Sequence, residues 1–247
     1  MKIKDAVILV GGRGTRLGSI TSRTPKPLIK IKDKPFLDQL ISKLIRYNFK
    51  NIFLLCSYKK EFFFKKYHNK YIHNSKIICI NEGKPRGTGG ALFRLKHRIK
   101  NNFILLNGDT FFNIDLNILK NKKLLNKSIF MSLTNIKKTH NNNSINNLLL
   151  KNDNIKLSNK SSALVNGGVY LINKKILSKI ENKFISFENT ILKKEIEKGK
   201  VIGNYFDDFF IDIGSIHQLN NIKKNYNVIK NKCFFLDRDG VINKEVG

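Results

Sequence analysis

The chain has 247 residues, of which 41% are hydrophobic and 10% aromatic, a composition typical of a globular protein with one large α/β domain or two small ones. Its formal net charge is +29, because 47 Lys and Arg residues outnumber 18 Asp and Glu residues. The basic residues are spread from Lys2 to Lys244 without a long basic arm, which indicates a composition bias that suits phosphorylated substrates and argues against a nucleic-acid-binding protein.

Short apolar runs bounded by chain breakers predict five buried strands, at residues 6–10, 51–57, 76–81, 102–106 and 128–133. Helical patterns lie between them at residues 36–49, 91–99 and 116–125. This alternation predicts an α/β, Rossmann-like fold with a mostly parallel sheet and helices on both faces. In such sheets ligands bind beyond the carboxyl ends of the strands, so each loop that follows a strand is a candidate site.

The alternating pattern degrades at residues 136–162, an Asn- and Lys-rich segment that predicts a hairpin or an insertion. Regular signals return with a strand at residues 163–172 and a helix at residues 187–198, for which Ser186 is the expected N-cap. A last helix is predicted at about residues 215–229.

The loop after the first strand contains Gly11, Gly12 and Gly14, and glycines there let the backbone approach a phosphate and point N–H groups at it. A P-loop spacing is absent, and a Rossmann dinucleotide motif would need a glycine where Leu17 stands. The second predicted strand also ends without the acidic residue that would hold a ribose. Because three basic residues accompany the glycines, we interpret the loop as a polyphosphate site rather than a bare turn; they are Arg13, Arg16 and Lys26.

The segment Gly11-Gly-Arg-Gly-Thr-Arg-Leu17, followed by Pro25-Lys-Pro-Leu28, resembles the signature of sugar-1-phosphate nucleotidyltransferases. Within that family the chain is most similar to the branch that makes GDP-activated heptose or mannose. The resemblance implies a nucleotide-diphospho-sugar transferase fold in a domain of residues 1–228. It also implies that a sugar 1-phosphate attacks the α-phosphorus of a nucleoside triphosphate and that pyrophosphate leaves. We expect GTP and a heptose 1-phosphate as substrates, with mannose or glucose 1-phosphate as the alternative sugar.

The same resemblance assigns the phosphate chemistry to particular residues. It places the leaving pyrophosphate against Arg16, the reacting phosphate against Lys26, and a magnesium ion on Asp109 and Asp212, with Asp109 also counted among the catalytic residues. Two carboxylates suit Mg²⁺, which keeps several waters and takes few protein ligands. Either aspartate alone would be read as a turn or cap residue, and the accompanying glycine loop favours the metal-binding interpretation.

The resemblance also assigns the nucleotide contacts, of which Glu82 is the most informative. A carboxylate only accepts hydrogen bonds, and guanine offers adjacent N1–H and N2–H donors whereas thymine and uracil offer one N–H. Glu82 therefore favours GTP, unless it is a surface residue beside a turn. The full expected nucleotide-binding set is Gly11, Gly12, Arg13, Gly14, Glu82, Gly87 and Thr88.

For the sugar, the resemblance points to the strand that contains Asn166, Gly167 and Gly168, where a glycine backbone lets the sugar pack closely. It also points to Glu188, which matches a glutamate that binds sugar hydroxyls in the family. An equally good interpretation of Glu188 is an acid in the first turn of a helix, where the helix dipole favours it.

The last residues, 229–247, include Phe-Phe-Leu-Asp-Arg-Asp-Gly-Val, which resembles the first motif of haloacid-dehalogenase-type phosphatases acting on heptose or histidinol phosphates. The resemblance makes Asp237 the nucleophile and Asp239 the general acid/base. Few residues follow, so we expect the truncated start of a phosphatase domain without activity of its own. A heptose phosphatase motif beside this domain favours heptose as the sugar.

Cysteine usage and the lengths of the apolar runs exclude further classes. The three cysteines are far apart and show no C-x-x-C pairing, so neither a zinc site nor a disulfide framework is expected. No apolar run approaches the length of a membrane span, and we expect a cytoplasmic protein without membrane or nucleic-acid partners.

Two competing hypotheses are a basic nucleic-acid-binding protein and a sugar-nucleotide sensor that keeps the fold without the reaction.

Overall fold

The structure is a computed structural model that describes residues 3–135, 147–159 and 162–224. The remaining residues include residues 136–146 and 160–161 of the Asn- and Lys-rich segment, the end of the helix predicted at 215–229, and the segment 229–247. Asp237 and Asp239 therefore lie outside the described residues, as does the predicted phosphatase motif.

The strands of the described ranges are, in chain order, β1 (Asp5–Leu9), β2 (Lys30–Ile31), β3 (Lys34–Pro35), β4 (Asn51–Cys56), β5 (Tyr71–Ile72), β6 (Ser75–Asn81), β7 (Phe103–Asn107), β8 (Thr110–Phe112), β9 (Ile129–Asn135), β10 (Leu148–Lys151), β11 (Asn154–Leu157), β12 (Leu164–Ile172), β13 (Val201–Tyr205) and β14 (Phe210–Asp212). The α-helices are α1 (Ser19–Arg23), α2 (Phe36–Arg46), α3 (Lys60–Tyr67), α4 (Gly87–Ala91), α5 (Leu116–Asn121), α6 (Lys175–Ser178), α7 (Lys193–Glu197) and α8 (Ile216–Lys224). Short 3₁₀ helices span Thr15–Leu17, Lys26–Leu28 and Leu92–Leu95, and a π-helix spans Phe187–Leu192.

One large sheet organises these elements in the order β10-β11-β13-β9-β12-β7-β1-β4-β6-β5. Strands β7, β1, β4 and β6 are parallel neighbours, and β9 and β13 form a further parallel pair. Strand β12 runs antiparallel between β7 and β9. The predicted mostly parallel α/β sheet is confirmed at its centre, and β12 makes the whole sheet mixed.

Helices cover both faces of the sheet, as predicted. Alternate residues of β1 point to opposite faces, so that Ile8 belongs to one buried cluster with Phe36 and Leu40 of α2, while Val7 belongs to a second cluster with Leu92 and Phe187. Both clusters are almost completely buried, and they hold the strand ends at one edge in fixed positions.

Most predicted elements are present with shifted ends. The helix predicted at 36–49 ends at Arg46, and the helix predicted at 116–125 ends at Asn121. The prediction at 91–99 was wrong in extent: α4 begins at Gly87 and gives way to a 3₁₀ turn at Leu92. The helix predicted at 187–198 is a π-helix followed by α7, and its N-cap is confirmed, since Ser186 Oγ accepts a hydrogen bond from Asn189 N at 3.0 Å.

Among the helices of the described ranges, none combines the length and the apolar character needed to cross a membrane.

Candidate active site

A cleft of about 960 Å³ lies beyond the carboxyl ends of β1, β4, β6 and β7, where the sequence predicted ligand binding. It brings together fourteen of the fifteen predicted site residues that have a described position, and these are Gly11, Gly12, Arg13, Gly14, Arg16, Lys26, Glu82, Gly87, Thr88, Asp109, Asn166, Gly168, Glu188 and Asp212. The exception is Gly167, which lies behind the wall: a Cβ there would come within 2.6 Å of the Phe112 ring.

The glycine loop leaves β1 and is held by hydrogen bonds from both sides. Tyr58 N donates to Gly11 O at 3.2 Å, and Thr21 Oγ1 donates to Gly14 O at 3.1 Å. Gly14 has a φ of 65°, which favours glycine. A Cβ on Gly11 would lie 2.3 Å from Glu82 Oε1, so the absence of a side chain at Gly11 is what lets the Glu82 carboxylate come close.

Lys26 and Asp109 form an ion pair on the floor of the cleft. The distance from Lys26 Nζ to Asp109 Oδ2 is 2.6 Å, and the two side chains are 8% and 32% exposed. Burial alone would raise the pKa of Asp109, but the Lys26 ammonium and the hydrogen bonds from Lys26 and Thr110 outweigh it and hold this pKa below its usual value. Asp109 is therefore ionised at neutral pH.

Asp109 and Asp212 are brought together by a two-stranded ribbon formed by β8 and β14. Asp212 is the partner of Thr110 in this antiparallel pair, and Ile213 N donates to Asp109 O at 3.0 Å. The Asp212 side chain is buried, and it lies against the backbone of Gly214, where a Cβ would be 2.9 Å from Asp212 Oδ1.

The described residues contain no cluster of three or more His, Cys, Asp or Glu side chains that would form a protein-only metal cage. Two carboxylates that line one open cleft instead suit a magnesium ion that takes its other ligands from phosphates and water. The residues present fit such an ion, with Asp109 and Asp212 as the groups that would hold it.

Glu82 ends up buried at the carboxyl end of β6, with 4% of its surface exposed. Its backbone is fixed on both sides, because Glu82 N donates to Cys56 O at 2.9 Å and Arg94 donates to Glu82 O at 3.2 Å. Burial raises the pKa of the Glu82 carboxyl to about 7, and the Arg86 guanidinium offsets part of this rise. Glu82 is therefore a cleft carboxyl whose charge changes near neutral pH, and not the surface residue of the alternative interpretation.

Thr88 and Glu188 join two loops that are distant in the sequence. Thr88 Oγ1 donates to Glu188 Oε2 at 2.7 Å and accepts from Phe187 N at 2.9 Å. Glu188 lies in the first turn of the π-helix, as one interpretation expected, and it also lines the cleft, where the sugar-binding interpretation needs it to be.

Asn166 shapes the wall of the cleft through hydrogen bonds inside the protein. Its Nδ2 donates to the Tyr170 hydroxyl, and its Oδ1 accepts from Gly168 N at 2.9 Å. Tyr170 packs edge-on against Phe187, with 5.0 Å between the ring centres. Asn166 and Gly168 reach the cleft while Gly167 does not, because neighbouring residues of a strand face opposite sides.

The cleft also contains residues that the sequence interpretation passed over. Asn107 is the last residue of β7, and its Oδ1 is buried without a hydrogen-bond partner among the described residues. Phe184 stands at the rim with 75% of its surface exposed. Tyr58 follows β4 and lines the cleft beside the glycine loop. The position of Asn107 and Tyr58 at strand ends was the available signal, whereas nothing in the pattern around Phe184 indicated a cleft.

Comparison with known proteins gives matches over most of the chain. The profile of the nucleotidyl transferase family matches residues 5–228. A D-glycero-alpha-D-manno-heptose 1-phosphate guanylyltransferase of Campylobacter jejuni is 39% identical over 217 residues, which cover 85% of this chain and 94% of that protein. A protein of the same name from Aneurinibacillus thermoaerophilus is 33% identical, over 85% of this chain and 93% of that protein.

A similar fold is found in the crystal structures of HddC from Yersinia pseudotuberculosis. The first has a TM-score of 0.75 and 29% identity, and it covers 92% of this chain and 100% of that one. The second, of HddC complexed with GMP-PN, has a TM-score of 0.74 and 28% identity over the same shares of both chains.

Proposed function

The chain belongs to the nucleotidyl transferase family and is a sugar-1-phosphate nucleotidyltransferase, and we propose that it transfers the GMP group of GTP to a heptose 1-phosphate. The observation that carries the choice of nucleotide is the buried carboxyl of Glu82 beside Gly11, since an ionised carboxylate there accepts both hydrogen bonds that guanine N1–H and N2–H donate. Two guanylyltransferases among the relatives and the GMP-PN complex of HddC support the same choice.

The choice of heptose rests on the names of these relatives and on the phosphatase-like motif with Asp237 and Asp239 in the sequence. Sugar contacts would come from two other lining residues, since Glu188 supplies a carboxylate and Gly168 leaves the backbone accessible. Sugar hydroxyls donate well to a carboxylate, and a glycine lets the ring approach closely.

The reaction forms a bond between an oxygen of the sugar phosphate and the α-phosphorus, and it breaks the bond from that phosphorus to the pyrophosphate oxygen. The attacking phosphate is already ionised at neutral pH, so the protein supplies no nucleophile and removes no proton. Lys26 would neutralise charge at the reacting phosphate, and Arg13 and Arg16 in the glycine loop would bind the departing pyrophosphate. A magnesium ion held by Asp109 and Asp212 would add positive charge at the same oxygens.

Because Lys26 Nζ already lies against Asp109, the lysine and the expected metal position share one carboxylate. Bound phosphate would give Lys26 a second anionic partner at the floor of the cleft. The protein thus keeps the lysine oriented before substrates arrive, which is the preorganisation that electrostatic catalysis requires.

A pyrophosphate-release assay with Mg²⁺ tests the proposal. GTP, ATP, UTP, CTP and dTTP are each combined with heptose, mannose and glucose 1-phosphates, and we expect the highest kcat/KM for GTP with the heptose 1-phosphate. An equal or higher value for UTP or dTTP would overturn the role of Glu82, and a higher value for mannose or glucose 1-phosphate would overturn the choice of sugar.

A further inference from the structure

We propose that Thr88 is a positioning residue for the carboxylate of Glu188, and that through this contact the loop 86–90 helps to orient the sugar. The inference rests on the proposed function, in which Glu188 binds sugar hydroxyls. It adds a role in sugar binding to Thr88, which the sequence assigned to the nucleotide-binding residues.

The hydrogen-bonding capacity of the Thr88 hydroxyl is already used inside the protein. A threonine hydroxyl has one proton to donate and two lone pairs that accept. Its proton goes to Glu188 Oε2 at 2.7 Å, and one lone pair accepts from Phe187 N at 2.9 Å. The Thr88 proton is therefore committed to Glu188, and one lone pair of the hydroxyl is left to accept a hydrogen bond.

The backbone of the same loop also forms hydrogen bonds within the protein. Gly89 N and Gly90 N both donate to Ile185 O, at 2.9 and 3.1 Å, and Ile185 N donates to Arg86 O at 2.8 Å. The N–H groups of Gly89 and Gly90 are therefore satisfied by the segment that leads to Glu188.

The close approach of the two segments depends on the two glycines. A Cβ on Gly89 would lie 2.9 Å from Phe187 N, and a Cβ on Gly90 would lie 2.4 Å from Lys183 O. Glycine-only contacts of this kind indicate that the loop is built to dock the segment 183–188. The two segments form one hydrogen-bonded unit at this wall of the cleft.

This unit orients Glu188 through hydrogen bonds to one of its two carboxylate oxygens. Its hydrogen bonds from described residues reach Oε2, from Thr88 at 2.7 Å and from Ser186 Oγ at 3.3 Å. Since Glu188 lines the cleft, Oε1 is the atom that remains to accept from a sugar hydroxyl. Without the Thr88 hydroxyl the shorter of the two contacts is lost, and the carboxylate gains rotational freedom.

Steady-state kinetics of Thr88→Val, with whichever sugar 1-phosphate the wild type uses, test the inference. Valine keeps the shape and removes the hydroxyl, so we expect the KM for the sugar phosphate to rise about tenfold while the KM for the nucleoside triphosphate stays within twofold of wild type. Thr88→Ser, which keeps the hydroxyl, should restore the wild-type KM for the sugar phosphate. If thermal unfolding shows that T88V does not fold, Thr88→Ala removes the same hydroxyl without a second methyl group and takes its place.

A double-mutant cycle with Glu188→Gln separates this inference from the proposed function. If Thr88 acts through Glu188, T88V adds little to the sugar-phosphate KM of E188Q. A normal sugar-phosphate KM in E188Q would overturn the sugar-binding role of Glu188 itself. A raised sugar-phosphate KM in E188Q together with a T88V effect confined to the nucleotide KM would overturn only the positioning role of Thr88.

Discussion

Lys26 Nζ lies 2.6 Å from Asp109 Oδ2, although 83 positions separate the two residues in the sequence. The contact joins the glycine loop side of the cleft to the ribbon of β8 and β14, and it places a buried cation next to the expected metal position. Replacing one member of this ion pair should be strongly destabilising, because the Lys26 side chain is only 8% exposed and a remaining charge would be left without compensation.

Asp109→Asn should therefore lower kcat/KM by about a hundredfold or more, since it removes one oxygen of the proposed metal site and leaves Lys26 facing a neutral amide. The Mg²⁺ concentration that gives half-maximal activity should rise as well. Both values come from the pyrophosphate-release assay with a Mg²⁺ titration. Asp153→Asn is a matched control, because Asp153 pairs with Lys122 at the surface and should leave activity near wild type. Full activity in D109N would contradict the metal assignment.

GTP binding should weaken below neutral pH because Glu82 must be ionised to accept both guanine hydrogen bonds. Its pKa is raised to about 7, so the ionised fraction falls from about nine-tenths at pH 8 to about one-tenth at pH 6. We expect the Kd for GTP, measured by isothermal titration calorimetry, to rise about tenfold over this range through Glu82.

Glu82→Gln is the control for this pH dependence. It keeps the size of the side chain and removes its titration, whereas the titration of the γ-phosphate is common to both proteins. GTP binding to E82Q should be weaker at pH 8 and should lack the part of the pH dependence that belongs to Glu82. Parallel pH profiles for wild type and E82Q would contradict the guanine-binding role.

Gly11→Ala should impair GTP use because the new methyl group would lie 2.3 Å from Glu82 Oε1 and 3.1 Å from Ser57 Cβ. Either the glycine loop or Glu82 must shift, and we expect the KM for GTP to rise about tenfold or more, with a loss of roughly 1–3 kcal/mol in the free energy of unfolding. Gly12→Ala serves as the stability control, since a Cβ there meets no atom within 4 Å. An unchanged KM for GTP in G11A would show that the closeness of Gly11 and Glu82 is not needed for binding.

The free energy of unfolding should depend on pH in part through the titration of Lys43. This lysine of α2 is 1% exposed, and its Nζ donates to Phe112 O in the ribbon. Burial lowers its pKa to about 7, Arg46 acts in the same direction, and Asp208 and Asp115 oppose the shift. Between pH 7 and the unfolded value of 10.5 the unfolded chain binds more protons at this residue than the folded chain, so its contribution to stability improves as pH rises.

Urea unfolding of wild type and Lys43→Met at pH 7, 8 and 9 measures this contribution. All other titrating groups are common to both proteins, so the difference in free energy of unfolding isolates residue 43. We expect the difference to shift in favour of wild type by up to about 1.4 kcal/mol per pH unit. A difference that does not change with pH would contradict a buried, proton-poor Lys43.

The central strands could be predicted from the sequence because they are buried on both faces. Such strands read as continuous apolar runs, and β1, β4, β6, β7 and β9 each begin and end within two residues of the expected positions. Strand β13 was missed because Gly203 interrupts its apolar run, and that glycine is needed where a Cβ would lie 2.2 Å from Met131 O. Helix α3 was missed because charged and aromatic residues mix along it.

The residues of the candidate site could be named from motifs, but their contacts could not. The meeting of Asp109 with Asp212 depends on β8 and β14, which have three residues each and are too short for any periodic signal. The contact between Thr88 and Glu188 spans 100 positions and follows from the docking of two glycines against a backbone. Gly167 was grouped with its neighbours because the motif is read as a unit, whereas the strand alternates its faces.

The two strands of the ribbon, β8 and β14, are far apart in the sequence, so Asp109 and Asp212 are synthesised at different times. Four parts of the site leave the ribosome before β12 does: the glycine loop, Lys26, Glu82 and Asp109. Asp212 leaves the ribosome only after β13. At ribosomal speeds the second aspartate arrives seconds after the first. Under the proposed assignment, a nascent chain contains the expected nucleotide-binding residues well before the second metal-binding aspartate, so we expect turnover to begin only after synthesis has passed β14.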